Sequence, residues 1–315
     1  MSLEYYWKLL LEVMLPMSLL VISGGVWRRY LAPEQVRSIR SHIASITINL
    51  FAPALLFAAA ASAHITTELL SVPALLAAGI LLGGGLLYIL LFRTALGNTL
   101  SRQTRTGLLL CGTFGNVLFM GYPLLHFLFG DQGARYAAFA DMGAATPLLW
   151  SLGVWMAIRL GGSDIRISNP VKTWLTLPPV WSFLLGASLS MTPMDITPLI
   201  HAARFIGQPT VPVMLLMLGL TIPWRKLVPN SAVLTVALFK LMLLPLMTWL
   251  IATYYFGSLR EAQMAAVIES GVPTMLMALG LADKYQLDVE AVALTIAWST
   301  VLFLFSLPFW LWVLI

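Results

Sequence analysis

Apolar residues fill the chain in ten long stretches, at 9–27, 41–61, 71–92, 107–129, 137–158, 174–192, 203–223, 231–256, 263–282 and 290–315, with polar residues gathered between them. Most approach or exceed the roughly 20 residues an α-helix needs to cross about 30 Å of hydrocarbon. Runs such as 81–92 and 241–250 are apolar on every side, as lipid-facing and bundle-core helices are, whereas a membrane barrel would show short alternating segments. The pattern therefore predicts an all-α membrane protein with ten transmembrane helices. The first stretch, with the residues leading into it, carries Glu4 and Glu12, lacks a basic start and is long enough to span, so it reads as a membrane helix and not as a cleavable signal.

Composition agrees. With 59% hydrophobic and 10% charged residues, and a mean hydropathy of +0.88, the 315-residue chain has too little polar surface to enclose a soluble core. The net charge of +5 is explained by topology. Thirteen basic residues fall after odd-numbered spans (Arg28, Arg29, Arg37, Arg40, Arg93, Arg102, Arg105, Arg159, Arg166, Lys172, Arg225, Lys226 and Lys284). Four fall on the opposite side (Lys8, Arg135, Arg204 and Arg260), and Lys240 lies within the eighth span. The positive-inside rule then puts both termini on the non-cytoplasmic side, and no nucleic-acid partner is needed. Cys111 has no second cysteine to pair with and reads as a small core residue.

The fourth and ninth spans share a pattern. Gly121 to Gly130 is GYPLLHFLFG and Gly271 to Gly280 is GVPTMLMALG, each with G-x-P and a glycine seven residues after the proline, 150 positions apart. Five spans per half is an odd number, so the halves 1–158 and 174–315, joined by a basic loop at 159–173, are expected to have opposite orientations. Two inverted five-helix repeats, with interrupted helices meeting near the midplane, are a recurring transporter plan. Proline removes a donor and glycine lets the chain open, so interruptions at Pro123 and Pro273 are expected to expose backbone groups where ions and substrate bind. An ordinary proline kink is the alternative, since Pro16, Pro53, Pro147, Pro212, Pro245 and Pro308 also lie within spans.

These segments resemble the auxin efflux carrier family. The matching runs are GNVLFMGYPLL (Gly115 to Leu125), LFAPALLF (Leu50 to Phe57), ARYAAFADMG (Ala134 to Gly143), VPVMLLMLGL (Val211 to Leu220) and ESGVPTMLMALGLADKYQLD (Glu269 to Asp288). The long loop of the larger plant members is absent, as in the compact bacterial members of an inner membrane. The resemblance implies a ten-helix fold like that of bile-acid sodium symporters, with crossed broken helices four and nine. It further implies a scaffold of helices one, two, six and seven, a transport domain of three to five and eight to ten, a homodimer, an elevator motion, and small carboxylates or auxin-like anions as substrate.

Candidate site residues follow. Gly121, Tyr122, Pro123, Gly271, Val272 and Pro273 form the two expected breaks. The resemblance sets Asn116 beside them as a ligand for a substrate carboxylate, with an interhelical hydrogen bond as the alternative. Glu269 stands four residues before Pro273 in an apolar span, where an acid needs a partner or a proton. Glu269-Ser270-Gly271 is similar to the acidic sodium-binding motif of the bile-acid symporters, so a Na+ site at Glu269 and Asn116 is an expectation, as is proton coupling. Asp141 is a second acid within a span, expected to complete a hard-oxygen cation site with Asn116 or to serve as a protonation site in ion coupling. Lys240 is expected to neutralise one of these acids, to attract an anion, or to form a structural salt bridge. His126 is expected to pack, as are Gly83 to Gly85, and Trp298, Trp310 and Trp312 are expected to pack or to anchor at the interface. Asn49 with Pro53 and Gln208 with Pro209 and Pro212 are expected to line the facing side. No zinc-protease or nucleophile-elbow motif is present, which argues against an intramembrane enzyme. No resident cofactor is expected. A channel would call for charged rings. An uncoupled uniporter is the nearest rival to a coupled carrier.

Overall fold

The computed structural model describes residues 7–162, 174–224 and 227–314. Most of the expected linker, with Arg166 and Lys172, lies outside the described residues, as do Arg225 and Lys226. Among the described residues the chain is helical, with no strand beyond one isolated bridge. Six helices there are long and apolar enough to cross a membrane: α1 (Trp7–Arg28), α2 (Pro33–Ala61), α3 (Thr67–Arg93), α8 (Thr197–Thr221), α9 (Ser231–Phe256) and α12 (Val289–Leu314). The others are shorter or broken: α4 (Arg102–Thr113), α5 (Tyr122–Ala140), α6 (Val154–Arg159), α7 (Pro178–Ser190), α10 (Glu261–Ser270) and α11 (Met277–Lys284).

Proline acts in a consistent way. Pro16, Pro53, Pro123, Pro147 and Pro245 each stand two residues after a five-residue π-helical turn, at Leu10–Met14, Thr47–Phe51, Val117–Gly121, Asp141–Ala145 and Phe239–Leu243. A proline ring clashes with the carbonyl of the preceding turn and supplies no N–H, and a widened turn absorbs both defects without ending the helix. The expectation of a break at Pro123 is therefore corrected: the helix runs through Pro123, and the interruption lies seven to nine residues earlier, at Phe114 to Asn116. α5 itself is kinked at Phe129 and Gly130, the latter with a φ of 59° that suits glycine, and the carbonyl of Gly130 lies 3.1 Å from His126 Nδ1.

Small residues set the packing. Gly24 of α1 lies against Gly219 of α8, Gly186 of α7 against Phe57 and Ala61 of α2, and Gly207 of α8 against Leu55 of α2. A second set joins Gly79 of α3 to Thr248 of α9, Gly84 of α3 to Thr113 of α4, and Gly107 of α4 to Val292 of α12. Such close approach replaces the hydrophobic drive that lipid does not provide between helices. Gly83 packs on Leu244, whereas no atom lies near the space a side chain on Gly85 would take.

Candidate functional site

Two helix ends face each other across the buried centre. α4 stops at Thr113, α10 at Ser270, and the extended segments that follow pair as an antiparallel bridge between Gly115 and Thr274. Asn116 N–H donates to Pro273 O at 2.7 Å and Met275 N–H to Phe114 O at 3.2 Å. Side chains satisfy more of the freed backbone: the Thr274 hydroxyl donates to Cys111 O at 2.9 Å, and Thr274 N–H donates to the Ser299 hydroxyl of α12 at 3.1 Å. In hydrocarbon each unmade backbone bond costs several kcal/mol, so two broken helices are tolerated here because each completes the other.

The charged groups gather at the same crossing. Lys240 reaches from the π turn of α9 and donates to Ser270 O at 2.5 Å, at the carbonyl end of α10, and it also lies beside Gly115. A cation there meets both a free carbonyl and the negative end of the half-helix. Glu269 is 0% exposed, and neither carboxyl oxygen meets a hydrogen-bond donor among the described residues. Its carboxyl group lies against Gly121, where any side chain would overlap it. Asp141 and Lys240 are its electrostatic neighbours, and Asp141 accepts from the Thr146 hydroxyl at 3.2 Å.

The structure thus brings together Asn116, Gly121, Val272, Pro273, Glu269 and Lys240. Val272 packs on Gly115 and Gly271 on Pro245 of α9, while Tyr122 stacks on His126 with ring centroids 6.2 Å apart. Asn49 and Gln208 are exposed. The Asn49 amide turns back to Ser45 O at 2.8 Å, one turn earlier on its own helix, and it is the neighbouring Ile48 that lines the large cavity described below. Gln208 occupies the turn before Pro209. Sequence reasoning overlooked Thr274 and Ser299, although a threonine directly after Pro273 in an apolar span was a usable signal.

Sequence reasoning also overlooked a basic vestibule. A cavity of about 1330 Å3 is lined at the helix ends by Arg28, Arg37, Arg40, Asp283 and Lys284, and further into the spans by Ile48, Phe119, Trp150, Met217 and Leu276. Phe119 and Leu276 stand four and two residues past the bridged Gly115 and Thr274, so the cavity floor adjoins the crossing. Arg28 donates to the carbonyls of Leu220, Thr221 and Ile222 at the end of α8, and Arg37 meets Asp283 at 3.5 Å.

A family model described as "Membrane transport protein" matches residues 25–311. An uncharacterized transporter of Methanothermobacter thermautotrophicus is 30% identical over 84% of this chain and 86% of its own length. A second uncharacterized transporter, from Methanocaldococcus jannaschii, is 28% identical over 66% of this chain and 68% of its own. Helical throughout its described residues, with two interrupted helices there bonded at a buried crossing, and matched over nearly its whole length, the chain belongs to the membrane transport protein family that includes the auxin efflux carriers.

Proposed function

We propose that this transporter carries a small organic anion by secondary transport, in an elevator-type alternating-access cycle on a scaffold of two inverted five-helix repeats, assembled as a homodimer. The observation that carries the reading is the bridge between Gly115 and Thr274, which sets two half-helix starts at a single buried crossing with the carboxyl group of Glu269. The vestibule supports an anion: its rim holds more arginine and lysine than acid, and its floor of Phe119, Trp150 and Met217 suits an apolar body. The glycine contacts support the division into two bodies, with α1, α2, α7 and α8 in one set and α3, α4, α9 and α12 in the other.

For coupling, the reading is proton transfer at Glu269. Lys240 fills the carbonyl end of α10, where a sodium ion would otherwise find its oxygen ligands, so its ammonium serves in place of that ion. Binding of anion at the start of α5 and of a proton at Glu269 would each change the charge the crossing must hold as it moves through the membrane.

Reconstituted vesicles test the proposal. A thermal-shift screen of the purified protein against mono- and dicarboxylates and indole acetate identifies the ligand, since one that prefers the folded state raises the melting point. Uptake of that ligand is then expected to follow an imposed pH gradient without sodium. Glu269→Gln is expected to abolish accumulation while leaving downhill flux. Retained accumulation in the variant overturns the coupling role, and the absence of stabilisation by any organic anion overturns the substrate class.

A further inference from the structure

A second, apolar cavity of about 310 Å3 lies between α1 and α12, lined among others by Ser18, Ile22, Met120, Trp224, Trp298 and Val301. Ile22 and Val301, on its two walls, are 51% and 48% exposed, so it opens toward the surface that lipid covers. Trp224 also lines the basic vestibule and stands between the two spaces; its indole N–H donates to Gly219 O at 2.8 Å and its ring rests on Gly25. Ser18, Ile22 and Arg29 are spaced by four and seven residues and share one stripe of α1. Arg29 caps the end of α1, is exposed, and stands seven residues, about 10 Å, beyond Ile22 at the mouth of the basic vestibule, which it also lines.

A hydrocarbon slot open to lipid, with an unburied guanidinium on the same helix stripe at headgroup height, matches one molecule: a phospholipid with a net negative headgroup. Basic residues at a leaflet surface attract such lipids at about 1 kcal/mol each. We propose that this groove holds an acyl chain of an anionic phospholipid from the leaflet on the basic side, with its phosphate at Arg29. The two walls belong to different glycine-packed helix sets, α1 packing with α8 and α12 with α4, so the bound chain stands between them. Nothing in this inference depends on the identity of the transported anion.

The test compares phosphatidylglycerol with phosphatidylcholine added to delipidated, detergent-solubilised full-length protein. Phosphatidylglycerol is expected to raise the unfolding midpoint by several degrees at concentrations where phosphatidylcholine has little effect. Arg29→Gln should level the two lipids. Ser18→Phe and Thr300→Phe fill the slot from opposite walls, and each should remove most of the shift. Equal effects of both lipids on the unaltered protein overturn the proposal, as does an undiminished shift in both filling variants. Should neither variant fold, stoichiometric phosphatidylglycerol with brominated chains decides: it should quench a fluorescence component that Trp298→Phe lacks, and absence of that component overturns the site.

Discussion

Two segments with the same G-x-P pattern behave differently. At Gly121 to Pro123 the helix continues, because a π turn at Val117–Gly121 takes up the missing donor and the ring clash. At Gly271 to Pro273 the helix ends, and Pro273 O becomes the acceptor for Asn116 N–H. The first break belongs to Phe114, Gly115 and Asn116, and the bridge pairs Gly115 with Thr274, not one G-x-P with the other. What the halves share in space is the pairing of two extended segments. Proline is one way to produce such a segment, and it is used on one side only.

The contrast predicts a graded series of effects. Gly115→Leu should be the most damaging, because its side chain would run into Lys240 and Val272; a loss above about 4 kcal/mol, seen as failure to recover monodisperse protein, is expected. Normal yield and melting point would show that the crossing is looser than described. Lys240→Met leaves Ser270 O unpaired and removes a cationic neighbour of Glu269, with an expected loss of roughly 3 kcal/mol. Adding Glu269→Gln should restore part of that loss, and strict additivity in the double-mutant cycle would deny the coupling between the two residues. Thr274→Val, which strips the hydroxyl from Cys111 O, should cost about 1–3 kcal/mol in thermal unfolding. Pro123→Ala should shift stability by less than about 1 kcal/mol, well below the effect of Pro273→Ala; equal effects would mean that Pro123 does shape the break.

The parts of the site differ in how readily they could be read from the residues. Glu269 and Lys240 were visible as charges inside apolar stretches, because burying an ionisable group in lipid needs a reason and the sequence alone shows that the group is there. Thr274 and Ser299 were not visible, because hydroxyls are common in membrane helices and only a freed carbonyl or N–H gives one a particular use. Asn49 and Gln208 look like candidates by type, yet each side chain's direction depends on where its helix turns, and both are exposed. The vestibule was hidden for a similar reason. Arg28, Arg37, Arg40 and Lys284 were counted as topology signals, but their convergence on one cavity requires α1, α2 and α11 to meet.

The residues alone were enough to say that this protein is helical, lies in lipid and belongs to this family. The first two follow from transfer free energies and local periodicity, which act residue by residue, and the third from matched motifs. Only the tertiary structure decided where the helices break and what completes them. A helix end inside a membrane is stable only with a partner for its unpaired backbone, and that partner, Thr274 for Gly115, lies 159 residues along the chain.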